Sequence, residues 1–165
     1  MFSRSMSDCT PSLQEKEKKL RDLASLAGLA YAITCTSRSY RVQVALFAQG
    51  RQPIEEVNSL RRLAGLASII EAENSKPITW TLLSKHIVNL DDAIVDNDKA
   101  RAFDVALLKG GKAHWDVKAN VNVNDVPDYE ELARLGESVG LRAGARFKDK
   151  NGKPRPDYPH FEESV

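Results

Sequence analysis

Residues 101–108, Arg-Ala-Phe-Asp-Val-Ala-Leu-Leu, constrain the fold of this chain more than any other stretch. They read as a strand, Gly110-Gly111 supplies a tight turn, and Ala113-His-Trp-Asp116 can return beside it. A hairpin at this place commits the chain to an antiparallel sheet. Asp104 stands inside the apolar run, between Phe103 and Val105. A carboxylate there is costly unless it is paired or coordinated, so a metal-ligand role is expected of it.

Helical patterns surround the hairpin. Ser12 and Glu15 have the spacing of a capping box opening a helix through about Ala30, with Leu13, Leu20, Leu23, Ala24, Ala27 and Ala30 on one face. The charge run from Glu15 to Lys19 is expected on its solvated side. Residues 31–36 favour a strand, 41–49 a helix ended by Gly50, and 54–63 a second short helix. Residues 76–83 read as an extended approach to Ser84-Lys-His86, and 89–99 as an acidic surface loop. A helix over 128–139 places Leu132, Leu135 and Val139 inward and ends at Gly140; a loop then leads to a short strand at residues 160–162. The order predicts an α+β fold, a small antiparallel sheet with packed helices. Residues 1–11 are expected as a disordered lead-in and 12–165 as a single domain, with no internal repeat.

At 165 residues and 42% hydrophobic content the chain can fold around one core. With 24 Lys and Arg against 23 Asp and Glu, the formal net charge of +1 lacks the basic excess of a nucleic-acid binder. Two cysteines, Cys9 and Cys35, cannot build a disulfide framework and are read as free thiols. The opening residues lack an apolar signal core, and no run approaches the roughly 18 apolar residues of a membrane span. A monomer made and kept in the cytoplasm of the producing cell is therefore expected, reaching any external substrate only after release by another factor.

The richest fragment is Asp157-Tyr-Pro-His160-Phe-Glu162. Pro159 fixes its own φ and biases Tyr158 toward an extended shape, so His160 is presented from a stiff segment. On a strand, His160 and Glu162 share a face roughly 6.6 Å apart, which lets Glu162 support His160 while Phe161 faces the core. Only three histidines exist, His86, His114 and His160, so an imidazole metal site must draw on them. Two imidazoles and one carboxylate satisfy a catalytic zinc site, which takes three protein ligands and leaves a fourth position for water. His114 is the alternative ligand, though a plain strand position beside the cleft is the better reading for it.

Taken in order, Ser84-Lys-His86, Ala102-Phe-Asp104 and Asp157-Tyr-Pro-His160 resemble the pattern of a family of zinc peptidases. That family includes the L-alanyl-D-glutamate endopeptidases of phage endolysins and the D-Ala-D-Ala carboxypeptidases and dipeptidases. Arg38-Ser39, Gln43, Leu46-Phe47, Gln49-Gly50-Arg51 and Ile78-Thr-Trp-Thr81 extend the likeness, which runs from about Ile33 to Glu162. It implies zinc held by His86, Asp104 and His160, with Asp157 as general base and Arg38 steadying the oxyanion. It also implies a bacterial peptidoglycan stem peptide as substrate. Seventeen residues separate His86 from Asp104, more than the family pattern has; an insertion at 89–99 accounts for this, and closing a longer loop costs little. Residues 141–147 replace the family's Trp-Gly-Gly stretch.

The reading expected from this is an endolysin-type peptidoglycan hydrolase cleaving the L-Ala-D-Glu bond. Its rivals are a D-Ala-D-Ala carboxypeptidase or dipeptidase and a non-catalytic zinc-binding module. Asp157 argues against the last, since a module that only binds metal needs no carboxylate three residues before its ligand. Trp115 and Tyr158 are expected either to line the groove or to pack, and Ser84 to be a structural hydroxyl. Asp91, Asp92, Asp96 and Asp98 could hold a hard cation, although a solvated loop is the simpler expectation.

Overall fold

The predicted hairpin strand runs as β2, Ala102–Lys109, in the computed structural model, which describes residues 2–88 and 98–164. The other strands are β1 (Tyr31–Cys35), β3 (Lys112–His114), β4 (Leu141–Ala143) and β5 (His160–Glu163), and all pairs are antiparallel. β1 lies along one edge of β2; β5 and then β3 share the other, and β4 lies outside β5. The helices are α1 (Pro11–Leu26), α2 (Tyr40–Ala48), α3 (Ile54–Leu63) and α4 (Asp128–Ser138), so the fold is α+β. No helix among the described residues is long and apolar enough to cross a membrane.

Alternation along β2 sends Phe103, Val105 and Leu107 into a core shared with Leu13, Leu20 and Ala24 of α1, with Tyr129 and Leu132 of α4, and with Phe161. Tyr129 ties α4 to the hairpin: its hydroxyl accepts from the Leu107 amide at 3.3 Å and donates to the His114 carbonyl at 3.0 Å. β1 carries a bulge, with Ile33 opposite Val105 but Cys35 opposite Asp104, so Thr34 is the extra residue.

Several expectations change. The cap of α1 is Thr10, whose Oγ1 accepts from the Leu13 amide at 3.2 Å, because Pro11 has the fixed φ that suits the first helical position; Ser12 lies inside the first turn. The helix stops at Leu26, and of the expected inward set Ala30 is exposed while Leu29 is buried. Glu17, expected in solvent, is buried beneath Arg21 and accepts from the Tyr31 hydroxyl at 3.1 Å. β4 was not foreseen, because three residues between Gly140 and Gly144 carry too little alternation.

The lead-in expected to be disordered is laid against the protein. Cys9 is fully buried, its backbone bridging Ala100, and Ser3 exchanges hydrogen bonds with the backbone of Thr36 (2.8 Å) and Ser37 (2.9 Å). Apolar Cys9 and free backbone donors outweigh the polar side chains around them. The possible cation loop with Asp91, Asp92 and Asp96 lies outside the described residues.

Candidate functional site

Strand register alone brings Asp104 and His160 together, since they are direct partners between β2 and β5. His86 arrives from a separate segment. Its carbonyl accepts from the Arg38 amide at 3.0 Å, and the Arg38 carbonyl accepts from the Val88 amide at 3.2 Å. Three side-chain atoms meet as a result: His86 Nε2 is 3.2 Å from Asp104 Oδ1, His160 Nδ1 is 3.0 Å from the same oxygen, and the two nitrogens are 3.2 Å apart.

The outer hydrogen bonds say what these atoms can do. His86 Nδ1 lies 2.9 Å from the Thr36 carbonyl, which only accepts, so that nitrogen carries the hydrogen and Nε2 presents a lone pair. His160 Nε2 likewise faces Glu162 Oε2 at 3.2 Å. Burial opposes the charge of Glu162, but His160 and Lys85 outweigh it and hold its carboxyl at about 2. With both outer nitrogens donating, His86 Nε2, Asp104 Oδ1 and His160 Nδ1 converge as acceptors unless a proton or an ion lies among them. Burial disfavours a charged His160, yet Asp104 and Glu162 raise its pKa to about 9, so without metal a proton fills that place. Burial also opposes ionisation of Asp104, but the two histidines hold it well below the usual carboxylate range. Ligands bound at about 2.0–2.2 Å in tetrahedral geometry stand roughly 3.3–3.5 Å apart, so the donor set fits zinc closely.

Cys35, read from the sequence as a free thiol, lies beside this centre; its ligand atom falls within 4.8 Å of those of His86 and Asp104. Its sulfur approaches His86 Nδ1 at 3.8 Å and accepts from Arg38 Nη1 at 3.4 Å. Burial pushes the thiol up to about 11 against the pull of Arg38. His160 is thus the closer third partner.

Arg38 is buried and donates to Gln43 Oε1 (2.6 Å), Cys35 Sγ and Ser84 Oγ (3.2 Å), with no carboxylate paired to it among the described residues. Fully buried Gln43 in turn donates to Thr79 Oγ1 at 3.0 Å and the Thr81 carbonyl at 2.5 Å, joining Arg38 to the extended segment after Lys76. Gly50 admits that segment: it has φ +75, and a Cβ on it would stand 2.3 Å from Pro77 N. Asp157 is solvent-exposed at the cleft, yet crowding by the walls raises its pKa above the ordinary value despite His160 nearby.

Beside these groups opens a cleft of about 890 Å³ lined in part by Ser84, Trp80 and Trp115. Arg38, His86, Asp104, Asp157 and His160 all face it; His114 and Tyr158 do not. His114 and Tyr158 each pack edgewise with the Tyr129 ring.

No protein-family model matches the chain, and no curated protein sequence matches it. Solved structures do. The Serratia marcescens L-Ala D-Glu endopeptidase ChiX is similar with a TM-score of 0.53 and 14% identity, over 99% of this chain and 89% of that one. The LdcB LD-carboxypeptidase is similar at 0.51 and 13% identity, over 98% of this chain and 63% of that one. At such identities the likeness is one of architecture, and the chain has the fold that these two peptidases share.

Proposed function

We propose that the protein is a zinc peptidase of the endolysin type, which hydrolyses the L-Ala-D-Glu bond of the peptidoglycan stem peptide. The observation that carries this reading is the convergence of His86 Nε2, Asp104 Oδ1 and His160 Nδ1 within 3.0–3.2 Å, with their outer nitrogens already committed as donors. The substrate class is supported by the peptidases whose fold it shares.

Zinc held by those three residues would lower the pKa of a water and polarise the scissile carbonyl. Asp157 takes the proton of the attacking water and passes it to the departing amine, work that suits an exposed carboxyl with a raised pKa. Arg38, fixed by three neutral acceptors, donates to the oxygen on which negative charge develops. Thr36 and Glu162 hold the imidazoles in the tautomers the centre needs.

Metal analysis of the purified protein, together with mass spectrometry of stem peptides after incubation, tests this. One zinc per chain, lost in His160→Ala, and fragments that begin with D-Glu are expected. Release of terminal D-Ala alone would assign a carboxypeptidase reading instead. Full activity in Asp157→Ala would remove the proposed base.

A further inference from the structure

After Phe147 the chain forms a small strap across the cleft. The Asp149 amide donates to the Lys153 carbonyl at 2.9 Å, Lys148 bridges Pro154, and the Arg155 amide donates to the Phe147 carbonyl at 2.8 Å. Asp149 Oδ1 accepts from the amides of Asn151 (2.8 Å) and Lys153 (3.0 Å), so that carboxylate is spent on the turn itself. Across the cleft the Arg155 guanidinium lies 3.5 Å over the Trp80 ring, and Arg51 approaches the same ring at 5.4 Å while donating to the Thr79 carbonyl at 2.9 Å. The strap is thereby held at a fixed place on the opposite wall.

Among the described residues its cations have no anion of their own. Lys148, Lys150 and Arg155 line the cleft, and among the described residues none forms an ion pair. Six Lys and Arg side chains face the cleft against four carboxylates. Of those four, Asp104 is engaged by the two histidines, and Glu162 by Lys85, Arg142 and His160. In a chain of net charge +1, this concentrates positive potential where substrate must lie.

Resting on the peptidase reading above, we propose that Lys148, Lys150 and Arg155 form a carboxylate-binding subsite that selects peptides carrying a free carboxylate away from the scissile bond. Titration calorimetry in an Asp157→Ala background, where turnover is suppressed, compares a stem tetrapeptide with the same peptide amidated at its carboxylates. The acid form is expected to bind on the order of ten-fold tighter, with the advantage shrinking as salt is raised. Adding Lys148→Gln, Lys150→Gln and Arg155→Gln should erase the preference, whereas Lys148→Arg, Lys150→Arg and Arg155→Lys should keep it. Equal binding of acid and amide, or a preference that survives the glutamine changes, overturns the subsite. Hydrolysis by the wild-type protein is read separately: turnover without a preference removes the subsite alone, and a preference without turnover removes the peptidase reading while the subsite stands.

Discussion

Gly144 stands against the segment that carries Asp157 and His160, and Gly144→Ala tests whether that close approach sets the geometry of the candidate centre. A Cβ there would lie 2.3 Å from the Asp157 carbonyl oxygen and 2.9 Å from His160 Cβ, and ordinary contact begins at 3.4 Å. The Asp157 backbone must therefore retreat by about an ångström and His160 by about half of one. Both belong to one run of hydrogen bonds: the Asp157 amide donates to the Gly144 carbonyl at 2.9 Å, and the His160 amide to the Asp157 carbonyl at 3.1 Å. Overpacking of this kind costs about 1–3 kcal/mol, which lowers Tm by roughly 2–12 °C in a chain of this size. The greater effect is expected in function, because a shift of about an ångström in reacting groups costs on the order of 10²-fold in rate. Zinc affinity by chelator competition and stem-peptide hydrolysis measure this, with Gly152→Ala as control. Gly152 also has a positive φ, +79, but nothing lies within 4 Å of its Cβ position, so only strain is added. Wild-type metal affinity and rate in Gly144→Ala would refute the reasoning.

Gly136→Ala should destabilise the protein by about 1–3 kcal/mol in urea denaturation, although alanine is the better helix former by about 1 kcal/mol. Its Cβ would meet Phe161 Cε1 at 2.4 Å, and that buried ring is stacked on Phe103; a stabilised variant would contradict this packing. Glu162→Gln removes the carboxylate that orients His160, so zinc affinity should fall about 10–100-fold while helix content by circular dichroism is kept. Glu130 holds Arg146 through two 2.8 Å bonds, and that pairing lowers its pKa. The stabilisation is then present above the unfolded-state value, about 4.3, and fades as pH falls through the lower folded value. Arg146→Gln should accordingly cost up to about 1 kcal/mol at pH 7 and progressively less as the pH is lowered below the unfolded-state value, read from urea midpoints; a loss that does not change with pH would count against the ion pair.

The meeting of Asp104 with His160 was legible because strand periodicity and chemistry coincided on the same residues. Asp104 announced itself as a carboxylate in an apolar strand, and the alternation of His160, Phe161 and Glu162 gave both the core position of Phe161 and the support of His160 by Glu162. What stayed hidden depends on contacts between distant segments. Cys35 reaches the centre only because a bulge resets the register of β1, which no local pattern reveals. Gln43 could be noticed as a motif letter, but its hold on both Arg38 and the segment around Thr79 is a tertiary fact. Thr10 and Pro11 carried a readable start signal for α1 that the competing Ser12 and Glu15 spacing obscured.

The pairing of Ser3 with Thr36 and Ser37 reaches further than the edge it occupies. Thr36 supplies the carbonyl that fixes the His86 tautomer, and Arg38 lies one residue beyond Ser37, zipped in turn to His86 and Val88. Three plies of backbone, far apart along the chain, thus share one seam. Fraying of the outermost ply by proteolysis, or tension on it from a fused partner, would be transmitted through that seam to the imidazole and the guanidinium together.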